Sequence, residues 1–307
     1  MNYNINSGYG QAVANMAQGF APITGKLFIV GDSSTANLDM LKEMFVPDPD
    51  GVVRFFSTVD AAFGSCTANA GDVILVAPGH VETVASATSV VMDVAGVSVI
   101  GMGNGSNRPE FNFTATASSL EIDAANIRLS NFILKADISA VVVGVNVDAD
   151  NFQMDNCHMN FNATGDDFVT MMDIDAVDGA KLIDNTFEAE LIAGCAEAIR
   201  LDDTHNLVMT GNHITGDFTD GAVIGEGALG KNWLIANNYV YNADTTAGFV
   251  FDINVASTGI LANNVCGTLF ATAPETALDP GSLLSVENYV VNAVDESGAL
   301  VPTTVST

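Results

Sequence analysis

Six nine-residue segments of this chain can be laid over one another. They are NIRLSNFIL (126–134), NFQMDNCHM (151–159), GAKLIDNTF (179–187), NLVMTGNHI (206–214), NWLIANNYV (232–240) and TGILANNVC (258–266), with first residues 25, 28, 27, 26 and 26 positions apart. Weaker copies, VSVIGMG (97–103) and LLSVENYV (283–290), extend the series at both ends. A period near 26 constrains the fold more than any other feature. A unit so short cannot bury its own apolar face and must stack on its neighbours.

Three apolar columns run through the alignment. The first holds Ile127, Phe152, Ala180, Leu207 and Trp233; the second Leu129, Met154, Leu182, Met209, Ile235 and Leu261; the third Leu134, Met159, Phe187, Ile214, Val240 and Cys266. Alternation at period two means strands. The five-residue step from the second column to the third implies a corner between two short strands. The pattern predicts an all-β chain, a single-stranded right-handed parallel β-helix with three short strands per coil. At the corner stands an asparagine column: Asn185, Asn212, Asn238, Asn264 and Asn288, replaced upstream by Phe132 and Cys157. Asparagine suits the left-handed backbone of a tight turn. Stacked at a strand spacing of about 4.8 Å, its amides also bond from coil to coil.

An open solenoid end needs a cap. Ser57 is the expected N-cap, with Asp60 three residues on, and Val59, Ala62, Phe63 and Cys66 form a short apolar helical stripe. GDVILVAPGHVE then reads as the first strand and a Pro-Gly turn. Residues 1–26, rich in Asn, Gly, Ala and Gln, read as an extended arm, and Leu38, Leu41 and Phe45 share a second helical face. The expected divisions are an arm and docking segment (1–55), the β-helix (56–292) and a C-terminal tail (293–307).

Nine basic residues face 37 acidic ones, a net charge of -28. Such a surface repels phosphates and anionic lipids, so neither nucleic acid nor membrane is an expected partner. The N-terminus has no basic region followed by an apolar stretch, and no apolar run approaches a membrane span, so neither export signal nor span is expected. The four cysteines have no C-x-x-C spacing and read as buried thiols, with no metal or cofactor expected.

Two motifs carry catalytic residue types. Gly31–Ser33 (GDS) and Asp202-x-x-His205 match the pieces of a serine hydrolase, but no βα alternation follows Ser33. Arg200, Asp202, Asp203 and His205 form the best local cluster and would be the catalytic residues if the chain were an enzyme. Acidic residues recur before each repeat: Asp123, Asp148, Asp150, Asp173, Asp175, Asp178, Asp202, Asp203, Glu226 and Asp252. Their distance from the repeat frame varies, which reads as loop carboxylates facing water; cation binding and acid–base catalysis are the alternatives. The expectation is no catalytic residue.

Residues 57–82 resemble the entry of pectate-lyase-like β-helix proteins, in which a capping helix precedes a G-D-x-I-x-V strand. That fold hosts lyases, hydrolases and purely structural proteins. The order of polar arm, GKLFIVGDSST block and coil is similar to β-helical virion proteins of tailed bacteriophages, in particular capsid cement or decoration proteins. The resemblance implies a homotrimeric knob on the capsid exterior, assembled in the host cytoplasm, whose arm grips the major capsid protein. Tyr3, Tyr9, Gln11, Phe20 and Lys26 would be the docking residues. The alternative reading is a tailspike-like or free β-helix enzyme, or a binding module, for acidic polysaccharides.

Overall fold

The computed structural model describes residues 25–31, 54–191, 195–227, 230–253, 256–294 and 298–301. Tyr3, Tyr9, Gln11, Phe20, Ser33 and the Leu38/Leu41/Phe45 stripe lie outside them, as does most of the expected arm.

The chain winds through three sheets, A, B and C, of eleven, ten and seven strands. One coil shows the rule. Val208–Thr210 lies in sheet A, His213–Gly216 in B and Phe218–Glu226 in C, and Trp233–Ala236 returns to A one layer further on. Sheet A keeps this order from Val73–Val76 to Leu284–Val286, nine coils of a parallel β-helix. At one edge Leu27–Val30 pairs with both Val73–Val76 and Phe55–Phe56. At the other, Ala299–Val301 pairs antiparallel with Asn288–Val291. No helix among the described residues is long and apolar enough to cross a membrane.

All three apolar columns point inward, and none of their members is more than 2% exposed. Sheet C adds a wall that the nine-residue frame does not contain. Val145, Met172, Ile199, Val223 and Phe251 stack in one column, with Val147, Ile174 and Leu201 in the next. Alternation breaks in each of these strands, because Gly144/Val145, Met171/Met172, Ala198/Ile199 and Ala222/Val223 are adjacent and both buried. After this kink the outward positions are three residues apart instead of two.

The asparagine column forms a hydrogen-bonded ladder. From Asn185 to Asn264, each asparagine donates its backbone N–H and its Nδ2 to the Oδ1 of the asparagine one coil on, at 2.8–3.1 Å. Each Nδ2 also reaches back to a carbonyl of the preceding coil: Met154, Leu182, Met209, Ile235 and Leu261. The amides are almost wholly buried, so these bonds satisfy groups that would otherwise be costly to take out of water. The expectation that the ladder asparagines themselves adopt the left-handed backbone is wrong by one residue. Positive φ falls on the residue before: Asn156 (53°), Asp184 (54°), Gly211 (70°), Asn237 (58°), Asn263 (54°) and Glu287 (51°). That residue makes the bend, and the bend turns the following asparagine inward. Upstream the ladder ends at Cys157, whose backbone N–H donates to Asn185 Oδ1 (3.0 Å). One coil before, Phe132 stacks on Phe111 with ring centroids 5.0 Å apart.

The cap is a helix over Val59–Phe63 with Val59, Ala62 and Phe63 buried. Its N-cap is Thr58, not Ser57: the Thr58 hydroxyl accepts from the Ala61 N–H (3.2 Å). The helix ends at Phe63, so Cys66 reaches the core from the following turn. Glu82, on the first sheet B strand, accepts the Val59 N–H at 2.8 Å and lies 3.4 Å from His80. All four cysteines are free, and burial pushes the Cys66 and Cys157 thiols up to about 12.

Candidate functional site

The outer face of sheet C concentrates the charge. Strand register stacks Glu121, Asn146, Asp173, Arg200, Ile224, Asp252 and Asp279 in one column. Asp175, Asp202 and Glu226 stack beside it. Asp173, Asp175, Asp202, Glu226 and Asp252 therefore stand on strands, which corrects the loop expectation for these five, whereas Asp123, Asp148, Asp150, Asp178 and Asp203 lie outside the strands as expected. Asp173 and Asp252 belong to one column and Asp175, Asp202 and Glu226 to another two residues on, so counting both against one repeat frame made strand positions look like loop drift.

The cluster Arg200, Asp202, Asp203 and His205 does not converge on one point. Asp202 ends the strand Cys195–Asp202 on the outer face. Asp203 is an exposed corner residue with φ 42°. His205 pairs through its backbone with Asp178 and Lys231 at the entry to sheet A, and its buried Nδ1 has no hydrogen-bond partner. Among the described residues no hydrogen bond joins His205 to either aspartate.

Arg200 instead gathers residues that the sequence reading left apart. Its Nε donates to Asp173 Oδ1 (2.9 Å), and a second guanidinium nitrogen pairs with Asp173 Oδ2. Nη1 stands 3.5 Å from Glu197 Oε1, which also accepts the Thr170 hydroxyl (2.7 Å). Asp173 and Glu197 are buried and Arg200 is about one-third exposed. Burial pushes the Glu197 carboxyl above its ordinary value, against the Thr170 hydrogen bond and the Arg200 charge, with Asp220 and Glu226 pushing the same way as burial. The Asp173 hydrogen bond raises Arg200 further. The kink sets this four-residue cluster, because residues 170 and 173, like 197 and 200, now face the same side. Its hydrogen-bonded partners lie one coil period, 27 residues, apart, and that spacing is the signal by which it could have been found.

Beside this cluster is an open groove of about 570 Å3, lined by Asp220, Ile224, Glu226 and Asp252 among others. Burial raises the Asp252 carboxyl, and the neighbouring Asp279 and Glu226 raise it further. Toward the other end of the face, side-chain oxygens of Glu121, Asp123 and Asp148 all lie within 4.8 Å of one another. Hard oxygens of this kind suit a divalent cation. Asn146 donates to Glu121 (2.9 Å) and Asp148 (3.0 Å) from the same Nδ2, so two of the three carboxylates each accept an amide proton. The remaining expected docking residue, Lys26, is exposed, and its backbone N–H donates to Asp72.

The fold and this face define a class: a parallel β-helix protein with one acidic lateral face. No protein-family model matches the sequence, and no curated protein matches it. Among solved structures, tailspike protein 2 from Escherichia coli O157:H7 bacteriophage CAB120 is similar over 74% of this chain, with 14% identity and a TM-score of 0.34. This chain spans about a third (34%) of the length of that one. A match at that level carries neither fold nor function across.

Proposed function

We propose that this chain is a structural component of a tailed-phage virion, a cement or decoration protein on the capsid exterior that works without catalysis. The observation that carries the reading is the uninterrupted interior. One apolar core and one ladder of satisfied amides tie successive coils into a stiff rod. The resemblance of the arm and entry segments to capsid cement proteins supplies the virion context, with the arm as the grip on the major capsid protein. Acidic columns on sheet C keep the outer surface soluble and self-repelling. The test is co-sedimentation with intact capsids. Binding that is lost on deletion of residues 1–26 supports the reading; binding that survives the deletion, or no binding, overturns it.

A second reading has its own observation. Glu197, held toward its neutral form next to Arg200 and an open acidic groove, is the combination a glycan-cleaving acid requires. Release of reducing or unsaturated sugar ends from an acidic polysaccharide panel, abolished by Glu197→Gln, would establish that reading instead.

A further inference from the structure

Lys135 stands on the outer face of sheet B, on the strand Ile133–Ala136. Register sets Asn112 beside it on the preceding coil and Asn160 beside it on the following one. Neighbouring strands are about 4.8 Å apart, so an amide flanks the lysine on each side. The lysine leans toward the preceding coil, where its Nζ meets Glu110 Oε1 at 2.7 Å. Glu110 and Asn112 belong to one strand, Glu110–Phe113, and share its outer face. The Lys135 and Glu110 side chains are only 23% and 16% exposed, so water has little access to their contact.

Asn112 is held by its nitrogen alone. Its Nδ2 donates to Asp137 Oδ2 (3.2 Å), and Asp137 Oδ1 accepts from Asn162 (2.6 Å). The Asn112 Oδ1 is buried and has no hydrogen-bond partner among the described residues. A buried carbonyl oxygen without a donor is uncommon, because its hydration is lost and nothing replaces it. An amine, a carboxylate touching it, an amide, and a second carboxylate on that amide's nitrogen thus meet on adjacent coils.

We propose that Lys135 and Asn112 become joined by a self-catalysed isopeptide bond. Glu110 takes a proton from the Lys135 ammonium, and the freed amine attacks Cγ of Asn112. The Nζ–Cγ bond forms and the Cγ–Nδ2 bond breaks. Both protons given up by Nζ leave with Nδ2 as ammonium, one by way of Glu110 and the other by way of Asp137. The two carboxylates end ionised, as they began. Strand register supplies the proximity that makes an amide reactive toward an amine. Burial of Oδ1 keeps water from the carbon, so aminolysis wins over hydrolysis. The same geometry separates the two flanking amides, since Asn160 lies on the side away from Glu110. The bond staples two coils together and closes a loop in the unfolded chain, which restricts that chain's freedom. The proposal does not rest on the virion reading, since the bond is read on the purified protein without capsids.

The test is the mass spectrum of the full chain, purified, held at neutral pH and then denatured. The wild type should be lighter than its sequence mass by one ammonia. Digestion should yield a branched peptide that joins Lys135 to Asn112 and resists trypsin at Lys135. That peptide distinguishes the link from ammonia lost by ring closure at Asn104-Gly105. Lys135→Arg and Glu110→Gln should each show their full sequence mass with an unchanged far-UV spectrum, since both side chains stand outside the core. Asn160→Ala should still lose the ammonia. A wild type at its full sequence mass overturns the proposal, because the contact is then an ion pair and nothing more. A branch at Asn160, or a link that still forms in Glu110→Gln, overturns it as well.

Discussion

Sheets A and B look the same in the middle coils and in the last ones, yet they are held together differently. In the middle coils, Arg128 clasps Asp155 at 2.7 Å with Ser130 in support, and Lys135 pairs with Glu110 at 2.7 Å. The corner there is filled by Phe132 and Cys157. In the last coils no ion pair stands on the outer faces of sheets A and B among the described residues, and the corner is an amide ladder. The backbone path is common to both, since a left-handed residue precedes the corner in each. The difference teaches that the coil geometry is set by the bend and the inward columns, while the corner side chain is free to be apolar or polar. A polar choice is stable only when it repeats, because each amide needs another amide one coil on.

The largest predicted effect tests that dependence. Asn238→Ala removes the acceptor for two Asn212 donors and the donor to Asn264. With buried groups left unpaired on both sides, it should cost about 3–5 kcal/mol. Cys157→Ala, at the same corner above the ladder, should cost about 1 kcal/mol. Urea denaturation followed by Trp233 fluorescence measures both; equal costs would mean that the ladder adds nothing beyond volume. Arg128→Met in the middle coils should cost about 1 kcal/mol, and the loss should shrink with added salt, since the two side chains remain 21% and 15% exposed. An effect as large as that of Asn238→Ala would erase the contrast between the two regions. Asn237→Ala, at the left-handed position, should destabilise by about 1 kcal/mol, whereas Asn237→Gly should be close to neutral. The reverse order would return the left-handed role to the ladder residue.

The smallest effect per group is on pH. Burial first, then neighbouring carboxylates, raise Asp123, Asp175 and Asp252 on the outer face of sheet C, and Asp148 is also raised despite its Asn146 hydrogen bond. Between the ordinary carboxylate range near pH 4 and these raised values the native chain holds more protons than the unfolded one, so stability falls as pH climbs through that window. Melting temperature should therefore rise as pH is lowered from 7 toward about 5. Asp155 acts oppositely. Burial alone would raise its carboxyl, but the Arg128 and Ser130 hydrogen bonds outweigh that and hold it low. Its contribution is present above pH 4 or so and is lost as pH falls through its depressed value. A melting temperature that drops steadily from pH 7 downward would mean that these carboxyls are not raised in the folded chain.

Much of the coil was legible in the sequence because sheets A and B meet at a corner of fixed length. Inward residues then recur at fixed offsets, and the asparagine column stands out. Sheet C was not legible for a physical reason. Its strands vary in length, and the four long ones each have adjacent buried residues, so the period-two pattern is broken in the sequence. The candidate site lies on that sheet, and Asp173, Glu197 and Thr170 were therefore not grouped with Arg200. Asp202, Asp203 and His205 were grouped by closeness along the chain. In a solenoid the relevant closeness is one coil away: Asp173 and Arg200, 27 residues apart, are nearer in chemistry than Arg200 and His205.

The asparagine ladder has a consequence for how such a chain can change over time. Each rung is satisfied by a rung like itself, and the last, Asn288, is closed locally by the Ser285 hydroxyl at 2.9 Å. Copying one coil within the gene would therefore insert a rung that finds its partners ready on both sides, whereas altering a single rung would break two. The rod can be lengthened by duplication far more easily than it can be revised by point mutation.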